Sequence, residues 1–184
     1  MSNLVLVERE GPIATVVLNR PEKLNALSRA TWAELGTQMR ELSVQTEVRC
    51  VIVRGAGDKA FAAGADISEF PDVRADSKQG RLYGDLIHDT MQALSHCVHP
   101  TIAMIRGACV GGGLEVALAC DLRICSEGSR FGIPINRLGL TMGYGELMGL
   151  LAVVGPALAK EILLEGRVFD AHEALNKGLV HRVV

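Results

Sequence analysis

The feature that most constrains the fold is a short strand that breaks on three successive glycines and resumes as an apolar helix. Thr101-Ile102-Ala103-Met104-Ile105 reads as a strand, Gly111-Gly112-Gly113 is the break, and Leu114 to Cys120 has the composition of a buried helix. Leu122-Arg123-Ile124-Cys125 then returns as a strand. An earlier stretch has the same order. Ile13 to Leu18 is short and β-branched and runs into a turn at Asn19-Arg20-Pro21, and Ser28 is placed to cap a helix. Trp32, Leu35, Met39 and Leu42 recur at steps of three and four, which gives that helix one apolar stripe. Cys50 to Val53 is a nearly continuous apolar strand, expected to be buried on both faces, and it ends in the loop Gly55-Ala56-Gly57-Asp58. A polar stretch from Asp72 to Lys78, expected to be mobile, precedes a helical segment reaching about Leu94. Near the end, Pro156 after Gly155 suits the first position of a helix reaching Leu164, and Asp170 with Glu173 forms a D-x-x-E cap for a helix stopped by Gly178. Strands alternating with helices in this way argue for an α/β domain.

The 184 residues, 48% of them hydrophobic, suit one domain spanning residues 1–184. With 4% aromatic residues and 20 glycines, its core must be aliphatic and small-residue, with backbones in close approach. A balance of 19 basic against 21 acidic side chains, without a basic run, argues against nucleic acid as a partner. Five cysteines with no C-x-x-C pair read as reduced, buried thiols of a cytoplasmic protein. No apolar run approaching a membrane span and no basic-then-apolar start stand out, so no membrane partner is expected. His96-Cys97-x-His99 lacks further ligands at zinc-like spacing, and no metal is expected.

Two glycine-containing segments each follow an apolar strand and precede a helix: Phe61-Ala62-Ala63-Gly64-Ala65-Asp66-Ile67, and Gly107-Ala108-Cys109-Val110-Gly111-Gly112-Gly113-Leu114-Glu115. At a helix start the first N–H groups lack intrahelical partners and the dipole favours negative charge, so such turns can hold an oxyanion or a phosphate. Taken alone, the glycines are equally consistent with tight turns. Glu115 lies in the first turn of the second helix among apolar neighbours only, where a carboxylate is costly unless it faces a site. Asp66 with Glu69 makes another D-x-x-E cap, and that structural role is sufficient for it.

In order and spacing the two segments resemble the signature of the enoyl-CoA hydratase/isomerase (crotonase) family. The resemblance begins at Leu18-Asn19-Arg20-Pro21-Glu22-Lys23-Leu24-Asn25-Ala26-Leu27, continues through Cys120-Asp121-Leu122 and Phe131-Gly132-Ile133-Pro134, and reaches Ala174 to Val180. It implies a crotonase-like spiral of repeated ββα units, the fold shared with the Clp-type serine proteases. No serine follows Gly113 where those proteases carry their nucleophile. It further implies an acyl-CoA thioester as substrate, no separate cofactor, and a homo-oligomer (a trimer or dimer of trimers). By resemblance the oxyanion hole falls on the N–H groups of Ala65 and Gly112, and Glu115 is the catalytic acid or base. The CoA and acyl groups lie along Lys23, Leu24, Ala62, Ala63, Gly64, Asp66, Ile67, Gly111, Ile135 and Tyr144.

The chain departs from the family pattern at two points. Hydratases of the family use a second glutamate directly after the Phe131-Gly132-x-Pro134 strand, where this chain has Ile135 and then Asn136, neither of which transfers a proton at neutral pH. Glu146, in the loop that borders the same pocket in the family, is the candidate replacement; otherwise it is an exposed first-turn helix residue. Family members also continue into a helical C-terminal region, so that region is expected to be short or absent here, in a natural short form or a fragment. The readings left open are an enoyl-CoA hydratase or isomerase, a thioester hydrolase or decarboxylase on the same scaffold, and a catalytically weak acyl-CoA-binding or assembly protein.

Overall fold

The computed structural model describes residues 3–184. Its elements follow a strand-strand-helix rhythm: β1 (Val5–Glu10), β2 (Ile13–Leu18), α1 (Arg29–Ser43); β3 (Cys50–Gly55), β4 (Ala60–Ala62), α2 (Phe70–Val73), α3 (Ser77–Ser95); β5 (Thr101–Ile105), β6 (Ala108–Val110), α4 (Gly112–Ala119). It continues as β7 (Leu122–Cys125), β8 (Arg130–Gly132), α5 (Tyr144–Glu165), β9 (Phe169–Asp170), α6 (Ala171–Asn176) and β10 (Arg182–Val183). One sheet has the order β1-β2-β3-β5-β7-β10 and the other β4-β6-β8-β9. Each middle repeat thus gives its first strand to one sheet and its second strand to the other. The β2-β3-β5-β7-β10 pairs are parallel, as are β4-β6-β8, whereas β1-β2 and β8-β9 are antiparallel.

The corner from β5 to β6 depends on Gly107. Its φ is +67°, and a Cβ there would stand 2.0 Å from the Lys59 carbonyl oxygen, so only glycine lets this corner nest on the preceding repeat. Packing behind the larger sheet follows the expected stripe. Ser28 accepts a hydrogen bond from the Thr31 N–H, and Trp32, Leu35, Met39 and Leu42 are all buried in one core with Val16, Val51, Val53 and Ala103.

Several expectations are modified. β3 alternates between buried Val51 and Val53 and half-buried Cys50, Ile52 and Arg54, so its second face is only partly covered. Asp72 and Lys78 fall inside helices, leaving only 74–76 as a connection between α2 and α3. Pro156 does start a helical segment, but one joined to a preceding segment whose start, through Glu146, the sequence reads as loop. The two meet at Gly155, where φ 72° and ψ 170° break the helical backbone. α5 also corrects the expectation about apolar runs. An 18-residue window within it has a mean hydropathy of 1.8 and is only 17% buried, so by length and composition it is enough to cross a membrane. The kink and the Lys160-Glu161 pair, with Glu161 bonded to Lys177, interrupt that apolar surface.

Candidate active site

The first turn is held by a backbone zipper. The Ala63 N–H donates to the Leu24 carbonyl (3.0 Å), the Leu27 N–H to Gly64 (2.8 Å), and the Asp66 N–H to Leu27 (2.9 Å). A parallel bridge of Leu27 against Ala65 uses the groups flanking Ala65 and leaves its own N–H on the opposite side. Among the described residues that N–H has no acceptor. The Leu24-Asn25 step is left-handed at both residues, and the buried Asn25 side chain fixes it, accepting from the Arg20 N–H (3.0 Å) and donating to the carbonyls of Ala56 (3.0 Å) and Ala60 (2.8 Å). Asp66 caps the turn Ile67–Glu69 through Ser68 and pairs with Arg20 at 2.9 Å. The Ser68 hydroxyl first, and Arg20 with it, hold the Asp66 carboxyl below the usual aspartate range. Glu69 does not close the expected capping box; it accepts from the Arg29 N–H at 2.7 Å, tying this turn to the start of α1.

The second turn is held by contact. Gly111 (φ 52°, ψ −124°) donates its N–H to the Gly132 carbonyl (2.9 Å) and accepts from the Glu115 N–H (3.0 Å), so α4 starts at Gly112, two residues before the expected start. Gly113 lies directly on β4: a Cβ there would stand 2.2 Å from the Ala62 carbonyl oxygen. The first N–H of α4, on Gly112, has no intrahelical acceptor. A Cβ on Gly112 would lie 3.6 Å from the Ala65 nitrogen, and one on Gly64 would lie 3.7 Å from the Gly112 nitrogen. The two residues therefore stand side by side and line one shared cleft.

That cleft, of roughly 130 Å³ and open to solvent, brings together Ala63, Gly64, Ala65, Ile67, Gly111, Gly112, Glu115, Ile135 and Glu146 from the sequence reading. It does not bring in Lys23, Leu24, Ala62, Asp66 or Tyr144. Lys23 and Leu24 are exposed on a neighbouring turn, Ala62 is buried against Gly113, Asp66 is engaged with Arg20, and Tyr144 is 91% exposed. Asn136 turns away from the cleft to donate to the Leu164 carbonyl (3.0 Å). Sequence reasoning missed the cleft roles of Trp32, Phe70, Arg74, Ile133, Leu138 and Leu140. For Trp32 the only signal was its being the sole tryptophan; Arg74 sat within a stretch taken as linker.

Glu115 is 7% exposed, and burial first, then the negative charge of Glu146, push its carboxyl up to about 8 against the opposing pull of Arg74. A carboxylic acid of that strength is mostly protonated at neutral pH and can give or take a proton there. Glu146 sits in the first turn of α5, where one carboxylate oxygen accepts from the Gly143 N–H at 2.8 Å and the other is not engaged in that bond. Among the described residues neither Glu115 nor Glu146 makes an ion pair.

The fold and this cleft define a class of protein with a buried carboxyl beside two backbone N–H groups that lack acceptors. Comparison with known proteins specifies it further. The family described as Enoyl-CoA hydratase/isomerase matches residues 8–184. The short-chain-enoyl-CoA hydratase of Clostridium acetobutylicum is 41% identical over 182 residues, which are 99% of this chain and 69% of the relative. The crotonyl-CoA hydratase of Syntrophomonas wolfei is 36% identical over 180 residues, 98% of this chain and 68% of that protein. The crystal structure of an enoyl-CoA hydratase/carnithine racemase from Magnetospirillum magneticum superposes with a TM-score of 0.98 at 46% identity, covering all of this chain and 69% of the other. The chain belongs to the enoyl-CoA hydratase/isomerase family and has the α/β crotonase fold.

Proposed function

We propose that this chain is an enoyl-CoA enzyme in which the N–H groups of Ala65 and Gly112 stabilise a thioester enolate and Glu115 moves the proton at the carbon beside the thioester. The observation that carries this reading is a buried carboxyl with its pKa raised to about 8, opening on the same cleft as two acceptor-less N–H groups. In double-bond isomerisation, Glu115 as carboxylate takes a proton from one carbon of the acyl chain, the enolate forms against the two donors, and the same proton returns at another carbon. In hydration, protonated Glu115 delivers a proton to the carbon next to the thioester while water adds to the further carbon and loses its own proton to a second base.

Ile135 cannot be that base, and Glu146 is the carboxylate that faces the same cleft. We assign the water-activating role to Glu146, because it lines the same cleft as Glu115 and its negative charge helps raise the Glu115 carboxyl. The names of the Clostridium and Syntrophomonas relatives favour a short enoyl-CoA as substrate. Parent, Glu146→Gln and Ile135→Glu are to be compared on crotonyl-CoA hydration and on proton exchange beside the thioester. Glu146→Gln should lower hydration on the order of 10²-fold and spare exchange, and Ile135→Glu should restore hydration in that background. Hydration that survives Glu146→Gln unchanged would remove Glu146 from the mechanism.

We also propose that the apolar side of α5, where Met148 is 62% and Leu164 77% exposed, associates with another copy of the chain. Sedimentation of the parent and of Met148→Glu with Leu164→Glu tests it: a parent that sediments as a monomer at micromolar concentration rules it out.

A further inference from the structure

Arg74 is, among the described residues, the only basic side chain lining the cleft. Its Cζ lies 4.5 Å from the centroid of the Phe70 ring and 5.6 Å from that of Tyr83, so two aromatic faces hold the guanidinium without using its N–H donors. Arg74 is exposed and, among the described residues, makes no ion pair with a carboxylate. Trp32, Ile87, Ile133 and Ile135 line the cleft with apolar surface, and besides Arg74 its charged side chains are Glu115 and Glu146. A plain hydrocarbon chain entering such a cleft would take water from the guanidinium and return nothing; a chain ending in a carboxylate would satisfy its planar donor fork.

We infer that Arg74 determines the substrate class by receiving a carboxylate at the far end of a short acyl chain whose thioester oxygen sits between Ala65 and Gly112. The preferred ligands are then CoA thioesters of dicarboxylic acids. This deepens, and rests on, the acyl-CoA reading of the cleft given above. A guanidinium directed at the phosphates of CoA would instead serve all thioesters equally, and the two cases separate in binding.

The test is equilibrium binding of saturated thioesters, succinyl-CoA against butyryl-CoA and glutaryl-CoA against valeryl-CoA, none of which requires turnover. The parent should bind the carboxylated member of at least one pair about tenfold more tightly. Arg74→Gln should bring that ratio to about one, chiefly by weakening the carboxylated member, and Arg74→Lys should keep part of the preference. Equal affinities in the parent, a preference that survives Arg74→Gln, or an Arg74→Gln that weakens all four ligands alike overturns the assignment. Absence of binding to all four overturns it together with the reading of the cleft. A dicarboxylate preference in a chain that turns over no enoyl-CoA would sink the proposed catalysis and leave the role of Arg74 standing.

Discussion

The two turns that meet at the cleft reach the same end by different means. The turn at Gly64-Ala65 is held by polar groups at a distance: the backbone zipper to Leu24 and Leu27, the Asn25 side chain, and the Asp66-Arg20 pair. The turn at Gly111-Gly113 is held by steric contact, with α4 lying so close on β4 that no Cβ fits at Gly113. A polar scaffold can lose one bond and keep the rest, whereas a close-packed one has no partial state because interiors tolerate little change in volume. The Glu115 carboxyl sits on the close-packed turn, where its position is least able to drift.

The largest effect expected from this difference is at Gly113. Gly113→Ala places a methyl group 2.2 Å from the Ala62 carbonyl oxygen, which α4 and β4 can relieve only by separating. A loss of about 3 kcal/mol or more is expected in denaturant unfolding, at the upper end for overpacking. A variant with the stability of the parent would break the contrast between the turns.

Next in size is Glu115→Gln, which should reduce turnover on the order of 10²-fold with CoA thioester binding nearly intact. Its pH dependence sharpens the point. The folded carboxyl is raised to about 8, so the native state keeps a proton that the unfolded chain gives up near the ordinary value of 4.5. The parent's stability should therefore fall with rising pH across that interval and level off above about 8, and Glu115→Gln should lack this slope. Parallel pH profiles for the two proteins, followed by thermal unfolding, would contradict the raised acidity constant.

The smallest effect is expected on the polar turn. Asp66→Asn removes the ion pair with Arg20 but keeps the zipper, at a cost of about 1 kcal/mol. Because the Asp66 carboxyl is held below its usual value of 3.8, the pair's contribution is present above that value and lost as pH falls through the lowered one. The gap between parent and Asp66→Asn should close on acidification; a gap constant down to pH 2 would place the effect elsewhere than in the ion pair.

How much of this was legible in the sequence follows the range of the interactions. The Ser28 cap, the stripe from Trp32 to Leu42, the Asp170 cap and the Pro156 start are local, and each appears in the structure at the residue expected. The convergence of two turns on one cleft was legible only through the family resemblance, since no local rule relates Ala65 to Gly112. α5 was only half legible. Its first segment was hidden by the glycines at 145 and 149, which weaken helix propensity in isolation and are offset by packing against α4.

What the sequence determined by itself was the order of strands and helices, the places where the chain must bend on glycine, and the presence of a carboxylate in an apolar helix. Those depend on propensity, periodicity and capping within a few residues. Only the tertiary structure decided that Glu146 and Arg74 share a cleft with Glu115 and that Lys23, Asp66 and Tyr144 stand outside it. Residues far apart in the sequence come together there through the stacking of whole repeats, and the acidity of Glu115 is set by the burial and the charges which that stacking creates.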